Sequence, residues 1–508
     1  MGGGKEKGSI TVFLSLICVL FLALICTAVE SARVQGAKAQ TANIMGMGNF
    51  SVLGEFEMGL LDGYEIFSLD GSYGKGSFSV RKVNERLEKF LNDNANPKEG
   101  IFSVGCFDPW KLELKDSSVR EYALLTDDSG EPFYQQVVAF MKANLGTEIV
   151  NELLHYKDEA DKVTQWQDEF EKRQKENETA LSEAEKAGDE KIRQLESEAA
   201  KEGAELAVPE QKSGFNPLEE IAKLRKRSIL SIVTGDRAVS DKSVWIWSLP
   251  SHIRSKKGSM KIEKTNSGLT SNLMFREYLL NYFPNYLEED TEGELTYQLE
   301  YILGGKSKDA DNLKYTVNRL LLIREGMNYL YCAGDAGMSS EAGTLAFTLT
   351  GFLGIPALTT ATKHALLLAW AYGESLLDVR ILLDKGKVPL YKTAESWVLT
   401  LEKLGQLSAI LTQGIKGSDN GQEYRDYLRI LLNLGTLQNQ KMRALDLIEL
   451  NLRKKVETSK FKAENCIVGI RTETKWKIKP VFFSVAGAVT RIRGEDISVT
   501  QTGSLIYE

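Results

Sequence analysis

One pattern stands apart from the rest of the chain: uncharged positions run unbroken from Ile10 to Val29, with Lys5 and Lys7 before them and Glu30 and Arg33 behind. At 1.5 Å of rise per helical residue, roughly 20 apolar residues match the roughly 30 Å hydrocarbon layer of a bilayer. The run therefore predicts a single transmembrane helix over 10–29, preceded by a short arm, 1–9. A cleaved signal peptide is the rival reading, with Cys26-Thr27-Ala28 as a poor cleavage site. Its apolar core is usually only about 7–15 residues long, so a retained signal-anchor is favoured. The basic arm predicts the N-terminus in the cytoplasm and the body outside the cell membrane.

From Ser31 to Gly54 small residues dominate, among them Ala32, Ala37, Ala39, Ala42, Gly46 and Gly48. They predict that the helix continues and approaches its neighbours closely, either in its own domain or on another subunit. Asp62-Gly63 and Asp70-Gly71 punctuate a stretch, Tyr64–Val83, of expected short strands or turns. Strands are expected over Ile101–Val104 and Leu112–Leu125, with Asp127-Asp128-Ser129-Gly130 as a turn before a helix through Phe133, Val137 and Phe140. Between Thr147 and Glu205, Leu153, Tyr156, Ala160, Val163 and Phe170 fall at helical spacing among charged residues. This reads as an amphipathic helix, helical hairpin or coiled coil. The stripe thins to Ala184, Ala187 and Ile192, which predicts a protruding tip, and Pro209, Gly214 and Pro217 end it.

Asn216-Pro217 opens the next helix and Gly235 can close it. Leu295–Leu303 reads as a strand. A helix from Asp309 to about Tyr331 follows, with Leu313, Val317 and Leu320 on its apolar stripe and Arg319, Arg324 and Glu325 elsewhere on the wheel. Ala342–Thr362 is uncharged but rich in threonine, and predicts a buried helical hairpin broken at Gly354-Ile355-Pro356 rather than a second span. Helices at about 421–434 and 438–455 precede strands near 466–481 and 489–506. In the first of these strands Val468, Ile470, Thr472, Thr474, Trp476 and Ile478 alternate on one face.

The expected fold is thus helix-rich α+β: one transmembrane helix continuing into a long helix, then a mixed body with a protruding helical hairpin. Its expected regions are 30–147 (pilin-like α+β), 148–206 (hairpin), 207–460 (mainly helical) and 461–508 (C-terminal strands).

Composition narrows the function. Hydrophobic residues make up 43% and charged residues 26%, so the body can bury real cores. A formal net charge of −7 leaves no basic field for nucleic acid. Five widely scattered cysteines argue against a disulfide framework. The three histidines, His155, His252 and His364, have no ligand partners at metal spacing, and no metal or cofactor is expected. Gly304-Gly305-Lys306-Ser307 resembles the tail of a phosphate loop, but the first glycine of that motif would fall at Glu300, so a turn capping the Asp309 helix is the better reading. There is no GxSxG elbow. Trp110, Trp245, Trp247, Trp370, Trp397 and Trp476 read as core or interface anchors.

Two sets of residues carry a resemblance. Lys7-Gly8-Ser9-Ile10-Thr11-Val12-Phe13-Leu14, the apolar run, and Ala28-Val29-Glu30-Ser31-Ala32-Arg33 resemble the N-terminal segment of TadG-type proteins of the Tad (Flp) pilus machinery. In both, a basic-Gly start, an apolar helix, an acidic residue at its outer end and a small-residue helix follow one another. Tyr64 to Gly74, Thr126 to Gly130, Asn318 to Glu325 and Lys387 to Thr393 resemble an uncharacterised family of large Gram-positive proteins with this anchor, often associated with Tad-type pilus genes. The resemblance covers most of the chain except 150–206. Prepilin peptidase substrates have glycine before the cut and usually glutamate five residues after it. Gly8-Ser9 is therefore the candidate processing site, but Phe13 occupies the glutamate position, so an unprocessed TadG-like or pseudopilin-like anchor fits better.

The resemblance implies a membrane-anchored structural or assembly component of a Tad/Flp-type pilus or secretion apparatus, not an enzyme. It would work with the membrane, with other components and with further copies of itself. Glu30 and Arg33 mark a candidate assembly contact, with Glu30 either in the headgroup layer or paired to a basic group on a neighbouring subunit. The alternative is a membrane-anchored enzyme or sensor with an extracytoplasmic site built from distant residues, for which Asp70, Asp127 and Asp128 are weak candidates.

Overall fold

The computed structural model describes residues 6–95, 109–202, 217–235, 237–288, 293–413, 417–482 and 496–507. In chain order the elements are α1 (Glu6–Leu53), α2 (Met58–Tyr64), β1 (Leu69–Asp70), α3 (Val80–Ala95), β2 (Leu112–Leu124), α4 (Asp127–Asn144), α5 (Thr147–Glu202), α6 (Pro217–Arg225), α7 (Ile229–Val233), α8 (Leu269–Tyr282), α9 (Gln298–Gly304), α10 (Asp309–Gly334), α11 (Ala336–Thr350), α12 (Pro356–Leu383), α13 (Leu407–Ile410), α14 (Tyr424–Leu434), α15 (Leu437–Arg453), β3 (Cys466–Ile478) and β4 (Ile497–Ile506). The fold is helix-rich α+β, as the sequence predicts. It divides into two units: Met1–Ala139 with Ile253–Thr265 and Ile448–Glu508, and Phe140–His252 with Asn266–Leu447.

The first unit is built on α1, one unbroken 48-residue helix. Its apolar first half has no protein around it, and this is the one helix among the described residues long and apolar enough to cross a membrane. Its second half buries Val34, Ala37, Ile44, Met45, Val52 and Leu53. Burying a side chain of Leu or Val size contributes about 1.5–3 kcal/mol, so these residues hold the helix firmly to its own unit.

The surface that α1 covers is an antiparallel sheet with β3 at its centre. β2 runs along one edge of β3, while β4 and the short β1 share the other. The alternation read in β3 holds: Val468, Ile470, Thr472, Thr474, Trp476 and Ile478 are all buried. Thr472 Oγ1 donates to Asn49 Oδ1 of α1 at 2.8 Å, and Gln501 Nε2 donates to the Lys38 carbonyl at 3.1 Å. Small residues on α1 make room for neighbours in the same unit. A Cβ on Gly36 would lie 2.5 Å from the Trp110 ring, and one on Gly48 would lie 2.8 Å from Leu91.

The expected regions at the two ends of the chain turn out to be one. Strand β3 of 461–508 pairs with β2 of 30–147, and no local pattern can announce a pairing between segments so far apart in sequence. Residues 64–83 form the end of α2, a turn, the two-residue β1 and the start of α3.

The helical hairpin expected at 148–206 is instead the single 56-residue helix α5. Periodicity reveals an apolar face but not whether the chain doubles back, and Gly188, the one glycine within the helix, costs only about 1 kcal/mol there. Leu153, Ala160, Val163 and Phe170 are buried in the second unit, and Ala184 packs with Leu353, Leu358 and Ala361. From Glu171 onward most residues whose side chains are described are exposed, Asn177, Ala184 and Gly188 being the buried ones.

Leu295–Leu303, read as a strand, leads into helix α9. Its polar Gln298 and Glu300 are buried together with Leu299, Tyr301 and Ile302, so no polar, exposed face reveals the helical period. The helix opened at Pro217 ends at Arg225, and a second, α7, ends before Gly235. The break at Gly354-Ile355-Pro356 falls where predicted, between α11 and α12. The expected strand 101–104, the loop 207–216 with Asn216, and residues 489–495 of the last strand lie outside the described residues.

Candidate functional site

In the second unit α10 packs along α12, and the interface contains charge as well as apolar side chains. Arg324 of α10 and Asp378 and Glu374 of α12 are each 0% exposed. The four-residue spacing of Glu374 and Asp378 puts both carboxylates on one face of the helix. Arg324 Nε donates to Asp378 Oδ2 at 3.0 Å, Nη2 to Asn328 Oδ1 at 3.0 Å, and Nη1 to the Pro389 and Leu390 carbonyls at 3.1 and 2.8 Å. Asn328 Nδ2 donates to Ser375 Oγ and to Asp378 Oδ2, both at 2.9 Å.

Lys392 enters from the segment after α12. Its Nζ lies 2.5 Å from Glu374 Oε1 and 2.7 Å from Asp378 Oδ1, and donates to the Ser396 carbonyl at 2.9 Å. The approach to Asp378 Oδ1 is a charge contact rather than an aligned hydrogen bond. Glu374 also accepts from the backbone N–H of Val398 at 3.1 Å and of Leu399 at 2.8 Å.

Two cations and two carboxylates balance among largely buried side chains, which is what makes burying them tolerable. Burial opposes ionisation of Asp378, but Arg324 and Lys392 outweigh it and hold the carboxyl below its ordinary range. Glu374 goes the other way, pushed up by burial and by neighbouring Asp378 against the pull of Lys392.

A polar cleft of about 340 Å³ opens above the network, lined by Asp378, Lys387, Lys392, Ser396, Ser418 and Asn420 among others. Two of the three N–H donors of Lys392 are engaged by Glu374 and the Ser396 carbonyl, and its charge is held by Asp378 as well. The network acts as a clamp that ties α10, α12, the 387–399 segment and, through Tyr427 at 3.1 Å from Arg324 Nη1, α14.

A family model described as a family of unknown function, DUF5702, matches residues 208–478, more than half of the chain. The chain belongs to this family. Every residue of the network lies inside the DUF5702 match, whereas α1, β1, β2 and α5 lie outside it. No curated protein and no solved structure matches the chain.

The residues singled out in the sequence fall elsewhere. Gly8 and Ser9 lie in the first turns of α1. Glu30 and Arg33 are both buried and pair with each other at 2.6 Å. Glu30 Oε2 accepts from the Phe482 backbone N–H at 2.9 Å, and Arg33 donates to the carbonyls of Pro109, Trp110 and Lys479 at 3.0, 2.9 and 2.7 Å. Both side chains thus have partners within the chain.

Asp70 accepts from Ser72 N–H at 2.9 Å and from Gly74 N–H at 2.8 Å and fixes a turn. Asp127 accepts from Leu124 and Gly258 N–H groups at 2.7 and 2.8 Å, and burial pushes its carboxyl up. Asp128 and Ser129 adopt left-handed backbone in that turn. These aspartates therefore serve the backbone.

Gly305 closes α9 with φ of 63°, and the Asn312 side chain brackets Lys306 through its N–H and carbonyl at 2.7 and 2.8 Å. Trp370 and Trp476 are core residues, whereas Trp245 and Trp247 are exposed. Arg324 and Glu325, read as part of the polar side of their helix, are buried. The network was missed because its members come from α10, α12 and a later loop, and each alone looks like a surface charge.

Proposed function

We propose that this chain is a membrane-anchored structural component of a Tad/Flp-type pilus or secretion apparatus, N-terminus inside and body outside, acting through helix packing and protein contacts. The observation that carries the reading is α1. Its first half is bare and apolar, and its second half is the spine of its own sheet, so membrane and body are joined by one rigid helix rather than by a linker. A flexible tether would suit an enzyme that needs only to be kept near a surface. A rigid rod suits a part that holds a fixed place in an assembly. The buried ion network supports the same reading, because its charged groups tie helices and the 387–399 segment together.

Protease added to intact protoplasts should digest the body, and crosslinking in cells should capture pilus or secretion components. Full protection of residues 60–508 overturns the topology. Capture of none of those components, with normal pilus assembly in a deletion strain, overturns the role.

A further inference from the structure

A second cleft in the second unit is chemically unlike the one above the ion network. Among its lining residues are Thr316 and Arg319 of α10, Thr436 and Asn439 at the start of α15, and Arg443 one turn further along that helix; its volume is about 220 Å³. Two arginines line it and no aspartate or glutamate does, in a protein whose formal net charge is −7. Among the described residues neither arginine has a carboxylate within 4.0 Å, and Arg319 has no hydrogen-bond partner either.

Arg443 is anchored without being neutralised. Its Nη1 donates to the Ile302 and Leu303 carbonyls at 2.9 and 2.6 Å, leaving Nε and Nη2 without acceptors. Gly305 makes this placement feasible, since a Cβ there would lie 2.5 Å from Nε. Burial pulls the guanidinium pKa down and outweighs the opposing pull of Tyr301, Tyr315 and Asp446 nearby.

Thr316 supplies a second, independent sign. It is 0% exposed, sits one turn before Arg319 on the same face of α10, and its hydroxyl has no partner. A buried threonine on a helix ordinarily bonds back to the carbonyl four residues earlier, so an idle buried hydroxyl on a cleft wall is exceptional. The N-terminal amides of the 17-residue helix α15 add positive potential at the same place.

We propose that this cleft binds a tetrahedral oxyanion of the phosphate type, with Arg319 and Arg443 as paired guanidinium donors and Thr316 and the α15 N-terminus completing the shell. At roughly 30 Å³ per water, the volume accommodates a phosphate group with several waters but not a nucleotide. The anion could be free phosphate or the terminal group of a phosphoester, and the two sources share this chemistry.

The test is calorimetric titration of the full chain in detergent with inorganic phosphate, with glycerol 3-phosphate, and with acetate as a control. Saturable phosphate binding at about 1 mM or tighter is expected, with acetate much weaker. Arg319→Gln should weaken it about tenfold or more, the loss expected for a charge-assisted contact, while leaving the melting temperature without ligand unchanged. Thr316→Val tests the same shell without removing charge and should weaken binding several-fold. Tighter binding of glycerol 3-phosphate than phosphate assigns the site to an ester, and the reverse assigns it to the free ion. Absence of saturable binding, equal binding of acetate, or undiminished binding in Arg319→Gln overturns the proposal.

Discussion

Arg324 and Asp378 meet in the middle of the second unit with neither side chain exposed, Nε 3.0 Å from Oδ2, on helices that begin at Asp309 and Pro356. The pair works as part of a set: Arg324 also carries two carbonyls of the segment that delivers Lys392 to the other oxygen of Asp378. Removing one member leaves the others buried without their partners. Arg324→Met should therefore cost about 3–5 kcal/mol in denaturant unfolding, whereas the double variant Arg324→Met/Asp378→Leu should recover part of that loss. Additive losses would show that the two groups do not act as a pair.

Glu300 sets a pH dependence of opposite sign to that of a salt-bridged acid. Its carboxyl is fully buried, accepts from Tyr286 N–H at 2.9 Å and Tyr424 Oη at 2.7 Å, and burial pushes its pKa up from 4.5 to about 7. The folded state thus binds the proton more tightly than the unfolded chain. Its contribution is full below pH 4.5 and is lost as pH rises through about 7, a difference of about 3 kcal/mol. Glu325, raised to about 7 by burial against the pull of Arg225, adds a second loss of the same sign. Unfolding free energies measured from about pH 5 to pH 8 should fall less steeply for Glu300→Gln than for the natural chain. Identical slopes would place the ionisation elsewhere.

Arg33 is the polar keystone of the first unit, giving its donors to Glu30 and to three backbone carbonyls. Arg33→Met leaves the Glu30 carboxylate buried with backbone N–H donors but no cation, and should cost about 3–5 kcal/mol. Because the pair closes within the chain, the loss should appear in thermal melts of the purified protein with no partner present. A variant that melts normally yet fails to assemble would instead point to an intersubunit contact.

Gly36→Ala sets two effects of different size against each other. Alanine gains about 1 kcal/mol of helix propensity, but its Cβ would fall 2.5 Å from Trp110 and force the ring aside, at about 1–3 kcal/mol. The clash should win, with a lower melting temperature and a shift in tryptophan emission.

Along α5 sensitivity should divide by position. Phe170 is 1% exposed and meets Tyr329 edge-on at 5.6 Å between ring centres, so Phe170→Ala should cost about 3–5 kcal/mol. Glu185→Gln, on the exposed part of the same helix, should change stability by less than about 0.5 kcal/mol. Similar costs at both positions would mean that the far end of α5 is as embedded as its beginning.

What the sequence by itself determined are the features carried by consecutive residues. The uncharged run Ile10–Val29, the alternation from Val468 to Ile478, the turn at Asp127–Gly130 and the break before Pro356 each depend on spacing along the chain, and each is present in the fold. Spacing does not say what lies opposite. Only the tertiary structure decided that β3 pairs with β2, that α5 runs on as one helix, that Glu30 finds Arg33 and Phe482, and that Arg324, Glu374, Asp378 and Lys392 leave water together. The physical reason is desolvation: a charged residue is stable inside only when opposite charge and hydrogen-bond partners arrive from other segments, so its burial belongs to the assembled set and to no single stretch of chain.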